Sequence, residues 1–525
     1  MKKKLLAFFL VAAMLVSVTA CGTSGSTAGS TGGSGSTAGG GLSAPDQDFV
    51  IAFNNDIQSL DPHNNSDTLS ITVARTMYEG LVAFDENQQI IPQLAESYEA
   101  ADDHVTYTFH LRQGVKFHDG EDFNAAAFVA NYERALGDET LRQYRRVSTW
   151  ESVETPDDYT VVITLKTPNS SFLNQFTQFN IISPKLIEQG TSVIAKSPVG
   201  TGPYTFTERV EGDHVTLAPN ADYWGGAPSV NSVTFRAVPE DGSRVAMLQT
   251  GEADYIYPMP AIQASSMDGT DNIEVITMPS NVMRYVTLNT TLPQLSDVRV
   301  RQAMNYAIDK QAYIKTVFNG YAEEVYSAYP SSVQYYSAQT PYDFNLEKAK
   351  ELMAEAGYAD GFKITIWGDN TTQEQKGMQF VQQQLAQIGI EMEVLPMEPN
   401  TIGDMIYVEK DEATIETWYV NWSASSFDAD GSMRNILYSE MMPPASANTA
   451  YYNNPEFDRL LDEGREATDP DQLAEIYAEA QAIVWEDCPW LFLGNDQVMS
   501  GQKTYVSGVS LRPDGSLEMS KLALA

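Results

Sequence analysis

Between Thr417 and Tyr438 the chain sets Trp418, Tyr419 and Trp422 ahead of Ser423, Ser425, Ser426, Asp428, Asp430 and Arg434. Aromatic walls followed by a few polar groups are what a small-molecule pocket needs. The plainer reading is a strand running into an N-capped helix, with the serines and aspartates as turn and cap chemistry. Arg284 is a second candidate, because a guanidinium forks onto a carboxylate. Its plainer reading is a structural ion pair.

Other chemistries lack their residues. The five histidines are His63, His104, His110, His118 and His214, and none forms a His-Glu-x-x-His pair or joins a cysteine cluster. No Gly-x-Ser-x-Gly elbow and no phosphate-cradling Gly-rich lysine loop occurs, so neither a catalytic residue nor a cofactor nor a metal is expected. The run Gly200-Thr201-Gly202-Pro203-Tyr204 has the wrong glycine spacing for a dinucleotide fingerprint. With only Cys21 and Cys488 there is no disulfide framework. Cys488 sits in an apolar segment and reads as an inert buried thiol. A formal net charge of −38 argues against nucleic acid or an anionic membrane surface as a partner. The 27 tyrosines suit a wet internal cleft, since buried hydroxyls need partners.

The elements that must position these residues are readable from periodicity. The second half reads as strand–helix–strand: Phe362, Ile364 and Ile366 alternate; Met378, Val381, Leu385 and Ile388 fall at helical spacing; Ile390, Met392 and Val394 alternate again. That order predicts a parallel unit with a right-handed crossover. Residues 414–422 read as a further strand of that sheet. Ligands of open α/β sheets sit beyond the carboxyl ends of the strands, which is where Ser423–Asp430 would lie. Earlier, Val105, Tyr107, Phe109 and Leu111 alternate, a helix carrying Phe128 and Tyr132 follows, and Val161, Ile163 and Leu165 alternate once more. Residues 73–177 therefore read as a small α+β unit. Helices are expected over 69–81, from Asp241 to Thr250, from Asp297 and Asn345 onward, and from Asp469-Pro470 to Pro489, with a last strand at 490–493.

The N-terminus is a targeting segment: Lys2, Lys3 and Lys4 precede the apolar run 5–16, then Val18-Thr19-Ala20 precede Cys21. This resembles a bacterial lipoprotein signal, with residues 1–20 as signal peptide and Cys21 as the lipidated first residue. Residues 22–41 are almost all Gly, Ser, Thr and Ala, so 21–46 reads as lipidated cysteine plus flexible tether.

Several stretches together resemble the family 5 extracytoplasmic solute-binding proteins, the oligopeptide, dipeptide and nickel class that feeds ABC importers. They are Tyr78-Glu79-Gly80-Leu81, Leu94-Ala95-Glu96-Ser97-Tyr98, Tyr107-Thr108-Phe109-His110-Leu111-Arg112, Gly114-Val115-Lys116-Phe117-His118-Asp119-Gly120, the Gly200–Tyr204 run and Asp297-Val298-Arg299-Val300-Arg301. The resemblance covers about 47–525. It implies an α/β, two-lobed periplasmic-binding-protein-like fold with an extra small α+β domain, a hinge, and a ligand enclosed in the cleft. Lobe I would comprise 47–72, 178–280 and 490–525, the extra domain 73–177, and lobe II 281–489.

Within the class, Trp422–Ser425 with Ala429-Asp430, the tail 482–490 and Met283-Arg284-Tyr285 resemble the glutathione-binding members. The resemblance implies a lipid-anchored receptor that hands glutathione or a similar small peptide to an ABC permease, as a monomer touching the membrane only through its anchor. Implied wall residues are Ser59, Leu60, Tyr144, Trp422, Ser423, Ser425, Ser426, Asp428 and Asp430, with Arg284 as carboxylate clamp. Peptide binders of the class place an aspartate where this chain has Ser425. A serine accepts a hydrogen bond without charge pairing, so Asp428 or Asp430 is expected to take over the ligand's amine. Another solute of the same class, a peptide sensor and a surface hydrolase are the competing functions.

Overall fold

Two long strands, Ile273–Leu288 and Trp490–Lys503, pair antiparallel. The computed structural model describes residues 47–525 apart from 102, 104, 271, 424 and 425. Cys21 and the tether thus lie outside the described residues. The long pair forms two ladders. Residues 273–279 face 497–503, and 283–287 face 490–495, with a register break between Pro279 and Met283. At that break the side chain of Asn495 replaces missing ladder bonds, donating to the carbonyls of Ser280 (2.9 Å) and Val282 (2.8 Å).

The first ladder continues into one half of the molecule. Residues 501–502 pair with Tyr255–Tyr257, then Asp48–Phe53, Ser232–Ala237, His214–Pro219 and Tyr204–Val210 follow in order. Phe49, Ile51, Phe53, Val233 and Phe235 bury one face of this half-sheet with the helix Thr68–Met77. The second ladder continues into the other half. Ile273–Leu288 pairs with Thr417–Ser423, which meets Phe362–Asp369 and then Ile390–Met397. The last two are parallel and joined by the helix Thr372–Leu385, as the periodicity predicts. Helices cover both faces: Val298–Tyr306, Lys310–Val317, Leu346–Glu355 and Thr372–Leu385 on one, Ala429–Leu437, Pro455–Glu466 and Pro470–Asp487 on the other.

A separate four-stranded antiparallel sheet, in the order Ala95–Ala100, Thr106–Leu111, Thr160–Leu165, Trp150–Asp157, packs under the helix Ala125–Leu136. The alternation along Thr106–Leu111 becomes alternating burial, because successive side chains of a strand face opposite ways. Its core is aromatic: Phe128 lies parallel to Trp150 at 6.4 Å and meets Phe176 and Phe179 edge-on. Leu81 opens this core, which reaches Ile181, whereas Val73, Ala74, Met77 and Tyr78 pack with the first half-sheet.

The structure departs from the sequence reading at some boundaries. The helix expected over 69–81 stops at Met77. Gly200 and Gly202 explain the stop: a Cβ on Gly200 would lie 2.2 Å from the Met77 carbonyl, whose oxygen instead accepts from Gly202 N (2.9 Å). The cap before the 241–250 helix is Glu240 rather than Asp241. The strand Ile273–Leu288 was not anticipated, and the last strand extends ten residues beyond 493.

Candidate functional site

The strand Thr417–Ser423 pairs with its parallel neighbour Phe362–Asp369 only at Thr417 and Trp418 and runs on past that strand's end, and the helix Ala429–Leu437 follows. Beside this strand end a cavity of about 490 Å³ separates the second half from the small unit. Trp422, Ser423, Ser426 and Asp428 line one wall; Glu139, Arg142, Arg145 and Arg146 line the other. The volume suits a small molecule. A larger depression of about 690 Å³ along 309–326 belongs to one half alone and is more open to solvent, which makes it the poorer enclosure.

The helix after the strand exists because Asp428 caps it. Its extended backbone and Oδ1, which accepts from Gly431 N at 2.6 Å, satisfy one of the free amides of the first turn. The same carboxylate accepts from the hydroxyl of Ser426 and, across the cleft, from Ser171 Oγ at 2.7 Å. Asn174, on the same segment of the small unit as Ser171, donates to the Ser426 carbonyl at 3.0 Å. Phe84 meets Phe427 edge-on at 5.5 Å, and Ser170 N donates to the Arg465 carbonyl. Asp428 is therefore both a cap and a cross-cleft tie, and little of its hydrogen-bonding capacity is left for a ligand amine.

Asp430 faces inward. It is buried and accepts a forked pair of bonds from Arg434 Nε at 2.9 and 3.1 Å, while Arg434 also reaches Asp462. Burial pushes its carboxyl up to about 6 against the pull of Arg434, with nearby Asp428 raising it further. Arg284 is likewise engaged. Its Nε forks onto Asp496 at 2.9 and 3.0 Å, and its Nη1 bonds Glu374. Burial holds the Asp496 and Glu374 carboxyls above their usual range, opposed by the same guanidinium. The expected clamp is thus a joint between the two long strands and the helix Thr372–Leu385.

The other expected wall residues scatter. Trp422 and Ser423 border the cavity, and the Trp422 indole N–H has no acceptor among the described residues. Ser425 lies outside the described residues. Ser59 bonds locally, its Oγ accepting from Asp61 N at 3.1 Å, and Leu60 is fully buried in the core of the first half. Tyr144 stands on the short helix Tyr144–Val147 beside the cavity, where its hydroxyl donates to Glu139 at 3.3 Å. The arginines of the facing wall went unread, although three arginines within five residues are conspicuous where acids outnumber bases 70 to 32.

Residues 89–443, well over half the chain, match the model of the bacterial extracellular solute-binding proteins, family 5, middle part. The chain belongs to this family. It is 39% identical over 474 residues to the glutathione-binding protein GsiB of Pectobacterium atrosepticum, covering 89% of this chain and 92% of that one. Its structure is similar to HbpA2 from Haemophilus parasuis, with a TM-score of 0.84 at 27% identity over 91% and 100% of the two chains. It is also similar to the periplasmic binding protein DppA from Helicobacter pylori in complex with the peptide STSA, at TM-score 0.73 and 28% identity over 91% and 98%. This family 5 member is a two-lobed solute-binding protein, not an enzyme. Among the described residues no helix is long and apolar enough to cross a membrane, and no cluster of His, Cys, Asp and Glu is arranged to hold a metal ion. Cys488, the free thiol of the described residues, is fully buried, and burial pushes it up to about 12, so it is a core residue of this solute-binding protein.

Proposed function

We propose that this solute-binding protein captures glutathione or a similar small peptide between its lobes and delivers it to an ABC permease. The observation that carries the reading is the cavity of about 490 Å³ whose walls come from different parts of the fold, with Trp422 and Ser423 facing Glu139 and the arginines. The relatives named for glutathione binding support the ligand class. In this reading lobe I comprises 47–72, 178–280 and 490–525, lobe II 281–489, and the extra domain 73–177. Lobe movement about the 280–283 and 495–496 crossings brings the walls onto the ligand, and contacts made only in the closed state drive it. Cys21 carries the lipid, and residues 22–46 tether the body to the extracytoplasmic face.

Calorimetric titration with reduced glutathione, oxidised glutathione and neutral dipeptides tests the ligand. Micromolar binding of glutathione is expected; no heat with either form, alongside tight binding of a dipeptide, overturns the assignment. For the anchor, replacing Cys21 by alanine should release the protein from the membrane fraction. Retention of the variant would exclude a lipid on that residue.

A further inference from the structure

The facing wall carries charge that the rest of the molecule leaves unanswered. Arg142 and Arg145 are exposed to the cavity, and neither guanidinium has a carboxylate or other acceptor within reach among the described residues. Arg146 is held by neutral groups: Nη1 donates to Gln143 Oε1 at 3.1 Å and Nη2 to Gln178 Oε1 at 2.6 Å. Burial, then the repulsion of Arg142, lowers it to about 10, so it remains a cation at neutral pH. In a chain with 70 acids and 32 basic residues, three arginines within five residues, none ion-paired among the described residues, are a concentrated positive site in a negative molecule. They line the same cavity as Trp422, and Glu139 is the acid nearest them in sequence on that wall.

We infer that Arg142, Arg145 and Arg146 select the ligand by its carboxylates, so that the protein takes small peptides bearing at least two carboxylates and discriminates against neutral ones. The inference rests on the peptide-binding reading and narrows it. An arginine fork meets a carboxylate through two parallel N–H donors, which gives direction as well as strength. Arg142 and Arg145 are free to do this, and Arg146, pinned by two glutamines, supplies fixed charge behind them. Glu139 is the group available to a ligand ammonium, because Asp428 is taken up by Ser171, Ser426 and Gly431. Selection then comes from the small unit rather than from the aromatic strand end opposite.

The test is calorimetric titration of the full mature chain with glutathione, with glutathione amidated at its glycine carboxylate, and with tri-alanine. Amidation should weaken binding by roughly tenfold or more, the scale of a lost charge-assisted pair. Arg142→Gln and Arg145→Gln should each weaken glutathione by a similar factor and narrow its advantage over tri-alanine, which offers a single carboxylate. Both replacements sit on an exposed surface, and an unchanged thermal midpoint confirms folding. Equal affinity for glutathione and its amide, or variants that bind glutathione like the parent, overturns the carboxylate selection while leaving peptide capture standing. Binding of none of the three probes overturns peptide capture and the selection with it.

Discussion

Ser171 and Asp428 meet across the cleft at 2.7 Å with both side chains buried, and this one contact sets how the carboxylate is used. A hydrogen bond to a charged acceptor contributes about 1.5–3 kcal/mol. Ser171→Ala leaves Asp428 its cap to Gly431 and its bond from Ser426, so the helix survives and only the cross-cleft tie is lost. The expected result is a ligand affinity lowered by roughly tenfold with little change in helix content, read by titration and far-ultraviolet circular dichroism. Asp428→Ala removes cap and tie together and should also lower stability by about 1–2 kcal/mol. An affinity unchanged in Ser171→Ala would mean that the tie plays no part in bringing the lobes together. Asp428 was legible from sequence as either a cap or a ligand group. Its partner Ser171 is 257 residues away, and no local pattern reports such a pairing.

At the scale of elements, the long strands Ile273–Leu288 and Trp490–Lys503 are the connection between the halves. Their register break falls at Pro279–Met283, where Pro279 cannot donate to a ladder. Asn495 repairs the break through two backbone carbonyls, both within the stretch about which the proposed lobe movement turns. Asn495→Ala removes both donations and leaves the Ser280 carbonyl to the Ser332 hydroxyl at 3.1 Å and the Val282 carbonyl to a long contact from Ser280 Oγ at 3.5 Å, which costs about 1–3 kcal/mol in all. Urea unfolding should show a lower midpoint, and the Arg284–Asp496 joint one residue away should hold the strands in register so that the fold persists. A midpoint equal to the parent's would show that Asn495 does not bridge the break. Of these strands only 490–493 was readable. A strand that passes from one core to another loses its alternation at the crossing, and Pro279 with Ser280 and Asn281 looks like a turn. The parallel pair 362–369 and 390–397 was readable, because Ile364, Ile366, Ile390 and Met392 alternate into one core.

The whole molecule is joined again at Glu79, between the first half and the small unit. Its buried carboxyl accepts from Thr201 Oγ1 (2.7 Å), Tyr223 Oη (2.8 Å) and Trp224 Nε1 (2.9 Å). Burial pushes it up to about 7, opposed by those donors, and Glu518 raises it further. The folded state therefore keeps a proton that the unfolded chain releases near its ordinary value of 4.5. This contribution to stability is full below that value and is lost as pH rises through about 7. The loss is on the order of 3 kcal/mol at most. Unfolding free energy measured by urea from pH 5 to 8 should fall in the parent more than in Glu79→Gln; parallel profiles would place the pH dependence elsewhere.

From sequence alone the family motifs, the α/β alternation of the second half and a strand ending by Trp422 were decided, one residue short of its end at Ser423, because each is written in contiguous residues. The motif residues Glu79 and Gly200–Tyr204 could be quoted without knowing that Thr201 bonds Glu79 and that Gly202 meets Met77. Tertiary structure alone decided what each charge does. Arg284 and Asp430, offered as ligand groups, are satisfied by protein partners, while Arg142 and Arg145 have none among the described residues. Whether a charge is spent inside the fold or presented to a cavity depends on which distant side chains arrive beside it, and that is fixed by packing rather than by spacing along the chain.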